Sequence, residues 1–515
     1  MKREEHINVQ LFKIKLYLLA MGILILAILL VRNKSKDEII PDEGNQQTEK
    51  QEQINENVPK PMMPTYNGTI RVLLKTNAFT DEYHEQVKLF SDCEMQVCGQ
   101  DEKEYTKGTE LNFVWEKDAL CVNGELLTEV PECFVVKLSE GQVGTMSLAT
   151  IQRNHGIPSY EGSLEIWPIE AGFVIVNEVP LETYLNYVVP SEMPAGFQKE
   201  ALKAQAVCAR TYACKHLKTY AYPEYQAHVD DSVRFQVYNN TGTAESTTEA
   251  VTDTQGLILT YQKQPITAYY YSTSCGYTGD EELWWEGNAE LTPYLQGKTV
   301  NASGEILEMN KEEVFADFIR QEDETCYDYD ISWYRWETKI DVETLSAHLN
   351  EALKGRYAAN PEAILTKQEE EFQSISIESI GKIQGIEILE RNSGGAAQKI
   401  CVRGSEETII AETEYNVRAL LNVKGETIVR KDGSLVEGGT ILPSAYFTIA
   451  PTWDEEGELK GFSFRGGGYG HGAGMSQNGA NVMAKQGKKF EEILQFFYTD
   501  VELEHIRESM FEGML

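Results

Sequence analysis

A single carboxylate, Glu192, stands between two prolines in the run Pro190-Ser191-Glu192-Met193-Pro194. Proline fixes φ, so an acid held this way leaves the backbone at a defined angle. Leu181, Leu185 and Val188 recur at helical spacing ahead of it, which predicts a short helix that begins after Pro180 and stops before Pro190. A second helix is expected over about 198–217, where Ala201, Ala204, Gln205, Cys208 and Tyr212 make one small-sided face able to press closely on a neighbour. A glutamate between two packed helices is partly buried, and burial raises a carboxyl pKa toward the range of a general acid near neutral pH. An arbitrary glutamate in a proline-rich loop is far more often a plain surface charge, so the case for Glu192 rests on its surroundings.

Two further stretches carry chemically suggestive side chains. In FRGGGYGHGAGMSQNGANVMAKQG a strand at 462–464 is expected to enter a loop with glycine at 466, 467, 468, 470, 472 and 474. A helix over 476–486, closed by Gly487, follows it. Glycine at this density permits backbone pressed close to another surface, and no Gly-Lys-Ser/Thr follows that would make it a phosphate loop. His471 lies between two of these glycines and either braces the loop or acts in the site. Residues 266–277, ITAYYYSTSCGY, read as a buried strand running into a glycine turn. Cys275 there, with His471 as base, would make the nucleophile–base pair of a thiol hydrolase, although nothing adjacent in sequence marks the thiol as activated. Ser272, Thr273 and Ser274 supply hydroxyl groups beside it.

Composition bounds the function. Hydrophobic residues at 42% and charged residues at 25% over 515 residues describe a folded protein of two or three lobes. A formal net charge of −35 excludes a nucleic-acid partner, because a phosphate backbone demands a basic footprint. Nine cysteines, at 93, 98, 121, 133, 208, 214, 275, 326 and 401, are odd in number and lack the dense spacing of a disulfide scaffold. Cys121 and Cys208 sit in apolar company as small core residues, while Cys93 and Cys98 are close enough in sequence to pair.

The stretch PLETYLNYVVPSEMPAGFQKEALKAQAVCARTYAC resembles the signature of the SpoIID/LytB family, the stage II sporulation protein D group and its amidase-enhancer relatives. The glycine-rich segment around His471, Met475, Ser476 and Gln477 resembles that family's second signature, and similarity extends over about residues 66–503. The resemblance implies a lytic transglycosylase that cleaves peptidoglycan glycan strands without a cofactor, with Glu192 as the catalytic acid. His471, Ser272, Thr273, Ser274, Met475, Ser476 and Gln477 would then bind substrate, and a sporulation amidase or endopeptidase is an implied partner. Ordinary glycosidases employ two carboxylates, whereas a transglycosylase manages with one because a sugar hydroxyl is the nucleophile. The family's non-catalytic amidase enhancers supply a second reading, and the Cys275/His471 hydrolase is a third. Some relatives hold zinc with two histidines and two cysteines ahead of a Gln-Val-Tyr. Here AHVDDSVRFQVY has His228, Asp230, Arg234 and Phe235 at those places, and arginine and phenylalanine cannot ligate zinc, so no metal is expected.

The expected class is α+β, with a single N-terminal transmembrane helix, a polar linker, a β-rich scaffold lobe and a mixed α/β catalytic lobe. Residues 1–15 would be cytoplasmic. The apolar run at 16–32, flanked by lysine and arginine and followed by no small-x-small cleavage site, would anchor the chain in the cell membrane with its bulk extracytoplasmic. Residues 33–65 would be a tether. The β-rich lobe would span 66–178, the catalytic core 179–300, an acidic mixed helical segment 301–372, the second half of the family-like region 373–503, and a tail 504–515. A strand series is read from 372 onward in SISIESI, GIEILE and KICVRG, followed by EYNVRALLN and LPSAYFTIA.

Overall fold

GFVIVNEVP is apolar at nearly every position, the pattern of a strand covered on both faces. In the computed structural model, which describes residues 68–511 other than 100, 117–118, 171 and 281–291, this run is the strand Gly172–Pro180. It pairs antiparallel with Thr69–Leu74 on one side and Ser163–Ile169 on the other. They belong to a seven-stranded sheet. Its edge strand, Val229–Asp230, runs parallel to Thr69–Leu74. A six-stranded sheet containing Gln86–Phe90 and Glu110–Glu116 shares its core, in which Val87, Leu89, Leu111 and Phe113 meet Ile70, Val136 and Ile166. Further along the chain two five-stranded sheets and the helix Val342–Ala359 enclose another core around Trp336, Leu345, Leu349 and Phe464.

Helices α1 (Leu181–Glu192) and α2 (Lys199–His216) follow directly on the strand Gly172–Pro180. α2 is buried along almost its whole length because its side chains are small. Ala206, Ala209, Ala213 and Cys214 belong to the first core, whereas Ala201, Ala204, Val207 and Cys208 belong to a second one. That second core also takes in Met475, Ala480 and Met483 of α3 (Gln477–Lys485) and its approach, and Ile493 and Phe497 of Phe490–Phe497. The wall common to two cores is therefore the helix that follows the acid.

The expected fold class requires correction. The described chain is mixed α/β and β-rich throughout, with sheets in both halves, and no helix among the described residues is long and apolar enough to cross a membrane. α2 and Val342–Ala359, at 18 residues each, carry charges such as Lys199, Glu200, Arg210, Glu343 and Arg356. The run 16–32, on which the anchor was expected, lies outside the described residues. Two local expectations also change. Within 266–277 the regular strand is only Tyr270–Tyr271. SISIESI, read as a strand, has no regular strand over 374–380; EYNVRALLN, which follows that series, forms the helix Glu414–Leu420, where the Thr413 side chain accepts the Asn416 N–H as an N-cap.

Candidate active site

Helix α1 runs through Pro190 instead of stopping before it. Proline in the last turn forfeits a single backbone bond there, and the Ser191 hydroxyl donates to the Tyr187 carbonyl at 2.7 Å across the same turn. The second proline ends the helix. Met193, immediately before Pro194, takes the extended conformation that a residue ahead of proline prefers (φ −128°, ψ 132°). Glu192 is thus the last helical residue, with its backbone carbonyl accepting the Gln477 amide at 3.1 Å.

The Glu192 carboxyl has two neighbours that matter. The Val237 N–H donates to its Oε1 at 2.6 Å, and the Tyr270 hydroxyl hydrogen-bonds to it. Gln236 Nε2 donates to Tyr270 Oη at 3.1 Å, so the phenol's own proton is directed at Glu192. Burial pushes the Glu192 carboxyl up to about 7, against the opposing pull of those two hydrogen bonds. Its place at the negative end of a helix dipole acts in the same direction as burial. Although enclosed, the side chain is not sealed: it opens on a cavity of ≈ 510 Å³ also lined by Tyr212, Val233, Arg234, Phe235, Tyr269, Tyr270, Tyr271, Ser272, Tyr469, His471 and Gln477. Among the described residues lining this cavity, Glu192 is the one carboxylate.

α2 secures this arrangement through consecutive side chains. Arg210, fully buried, forms a two-pronged pair with Glu182 of α1 at 2.7 Å per prong and donates to the Val251 and Leu257 carbonyls. Thr211 accepts the Leu259 N–H at 2.9 Å, and Tyr212 faces the cavity. The loop that presents Val237 is held at its base by the buried Arg153–Asp231 pair at 2.6 Å. Asp230 of the same loop accepts from Ser232 and the Tyr222 hydroxyl. His228 Nδ1 accepts the Arg71 N–H at 3.0 Å, and Phe235 meets His216 edge-on. Among the described residues no group of three or more His, Cys, Asp or Glu side chains is arranged to hold a metal ion.

The two glycine-bearing motifs meet through a parallel pairing of Tyr270–Tyr271 with Met475–Ser476. Of the residues singled out in them, Ser272, His471 and Gln477 line the cavity with Glu192. Thr273, Ser274, Met475 and Ser476 are buried behind it. Thr273 Oγ1 accepts from Asn478. Ser274 N–H and Ser476 Oγ both donate to buried Asp328, and Met475 lies in the second core. His471 Nε2 is 3.0 Å from the Tyr270 carbonyl and Nδ1 accepts the Ala473 N–H, a pair of bonds that fixes the neutral imidazole with its proton on Nε2. Burial and the Arg418 charge lower its pKa to about 4. A histidine so engaged is a brace for the strand carrying Tyr270. Cys275 does not line the cavity; it is buried among Tyr277, Phe315 and Tyr446, which pushes its thiol up to about 11, so the thiol-hydrolase pair has no support in the geometry.

Tyr270, Gln236, Val237 and Tyr469 escaped the sequence reading. The tyrosine run YYY and the triplet QVY were visible signals, but nothing local says which of three adjacent tyrosines turns toward an acid some 80 positions earlier in the chain.

The Stage II sporulation protein (SpoIID) family matches residues 170–261, which include α1, α2 and the Val237 loop. A domain of unknown function (DUF8618) matches residues 280–474. The chain is 30% identical over 342 residues to the Stage II sporulation protein D of Bacillus subtilis (strain 168), covering 64% of this chain and 75% of that one. It is 28% identical over 345 residues to its counterpart in Bacillus amyloliquefaciens, with 64% and 75% covered. Against the amidase enhancer of Bacillus subtilis (strain 168) identity is 29% over 318 residues, 61% of this chain but 39% of that protein. With the motif around Glu192 inside the matched region and three quarters of a stage II sporulation protein D spanned at this identity, the chain belongs to the SpoIID family.

Proposed function

We propose that the chain is a lytic transglycosylase that cuts peptidoglycan glycan strands to 1,6-anhydro-muramic acid ends during sporulation cell-wall remodelling. The observation that carries this reading is the cavity with one half-buried carboxylate. A hydrolase of the usual kind needs a second carboxylate to activate water or attack the sugar; a transglycosylase does not. Glu192, its carboxyl lifted to about 7, donates its proton to the glycosidic oxygen as the bond to the anomeric carbon breaks. The muramic acid C6 hydroxyl then bonds to that carbon, and its proton passes to the Glu192 carboxylate, which restores the starting acid. The Val237 N–H and the Tyr270 hydroxyl stabilise the carboxylate in the interval between the two transfers. Ser272 and Gln477 are the polar side chains positioned to meet substrate, while His471 keeps Tyr270 in register.

The test is digestion of peptide-free glycan strands by the purified full-length chain, with products analysed by mass. Anhydro ends support the reading; ends heavier by one water would replace it with hydrolysis. The similarity to an amidase enhancer favours a second reading, in which the same cavity binds glycan without turnover and a partner amidase performs the cleavage. Bound but intact strands, together with faster release of stem peptides by an added amidase, would select it.

A further inference from the structure

The cavity that holds Glu192 has an aromatic rim for which the proton chemistry has no use. Tyr469 lines the cavity yet leaves 45% of its surface to solvent. Its ring rests on Trp333, centroids 4.7 Å apart and planes inclined by 38°. Trp333 is covered in turn by Arg430, whose guanidinium carbon lies 5.3 Å from the indole centroid and whose Nε donates to Ser434 Oγ at 2.9 Å. The backbone holds both rings in place. Tyr469 and Thr273 exchange hydrogen bonds of 2.8 and 3.2 Å, and the Gly468 N–H donates to the Trp333 carbonyl at 2.8 Å. Segments around residues 273, 333, 430 and 469 thus converge on one supported tyrosine.

An aromatic ring backed on one side and open on the other costs little entropy to use, since its position is already set. At the edge of a cavity whose lining also holds Glu192, Arg234, Ser272 and Gln477, it offers an apolar plane to the C–H face of a pyranose. We propose that Tyr469, held by the Trp333–Arg430 stack, is a saccharide-stacking subsite for the glycan unit next to the one whose bond is cut. This inference rests on the reading that the cavity takes a glycan strand, but not on whether the strand is cleaved.

Binding of peptide-free glycan strands to the full-length chain carrying Glu192→Gln separates the two questions, because no turnover is needed. Adding Tyr469→Ala is expected to weaken binding roughly tenfold, the scale of one aromatic contact. In the chain with Glu192 intact it should raise KM by a similar factor with a much smaller fall in kcat. Tyr469→Phe keeps the ring and should restore binding, whereas a residue needed only for folding would show no such rescue. The Tyr469 side chain is half exposed, so its truncation removes no core packing, and an unchanged melting curve verifies this. Trp333→Leu should weaken binding by a smaller factor. Strands bound as tightly by Tyr469→Ala as by its parent would overturn the subsite and leave the transglycosylase reading standing. Bound strands with no anhydro ends from the intact chain would sink the transglycosylase reading and leave the subsite standing. Failure of the parent to bind any strand would sink both.

Discussion

Replacing Glu192 by glutamine keeps the shape of the acid and removes its proton chemistry. Burial lifts this carboxyl from 4.5 to about 7, and with about 1.4 kcal/mol per pKa unit, ionising it costs about 3 kcal/mol more in the folded chain than in the unfolded one. The folded state is the tighter proton holder, so this stabilisation is fully present below about pH 4.5 and is lost as pH rises through about 7. An amide has no such dependence and still accepts the Val237 N–H. Glu192→Gln should therefore gain stability relative to the wild type by about 2–3 kcal/mol between about pH 5 and about pH 8.5, while turnover on glycan strands falls ~10²–10⁴-fold. Denaturant unfolding of both proteins at the two pH values, run beside strand digestion, reads both quantities. Equal stability at the alkaline value would mean that the carboxyl is not desolvated as described, and wild-type turnover by the variant would remove it from the chemistry.

Other perturbations test neighbouring parts of the argument. Tyr270→Phe takes away a donor that favours the ionised acid, so the alkaline limb of the pH–rate profile should move upward; a limb that stays in place means that the phenol does not reach the carboxyl. Glu182→Ala leaves the fully buried Arg210 guanidinium without its carboxylate and should cost about 3 kcal/mol in denaturant unfolding, with a loss under about 1 kcal/mol refuting the clamp between α1 and α2. Cys275→Ala should leave turnover nearly unchanged at a cost of about 1 kcal/mol in stability, and loss of turnover without unfolding would revive the thiol-hydrolase alternative.

What the sequence made readable was whatever depends on near neighbours. α2 falls at Lys199–His216 against an expectation of about 198–217, because alanine spacing and flanking residues are local signals. The glycine loop and the helix closed at Gly487, where φ is 90°, are legible for the same reason. Pro190 misled because a proline reads as a stop wherever it stands, although its cost in a last turn is small and Pro194 lay two residues past the acid. Thr273, Ser274, Met475 and Ser476 looked like their cavity neighbours in sequence. Their inward placement follows from the Tyr270–Tyr271 pairing with Met475–Ser476, a contact across some 200 residues. The set around Glu192 likewise gathers from segments near 192, 237, 270 and 477, and no local pattern encodes their meeting.

The position of α2 between two cores also has a consequence in time. A helix that belongs to one core can loosen by itself, but α2 contributes Ala209 and Ala213 to one and Ala204 and Cys208 to the other. Its amide hydrogens can meet solvent only when both cores come apart, which ties their exchange with deuterium to whole-molecule opening and not to local breathing. Arg210 joins α1 to this slowest element. The acid is carried on a helix tied to the part of the molecule that opens last.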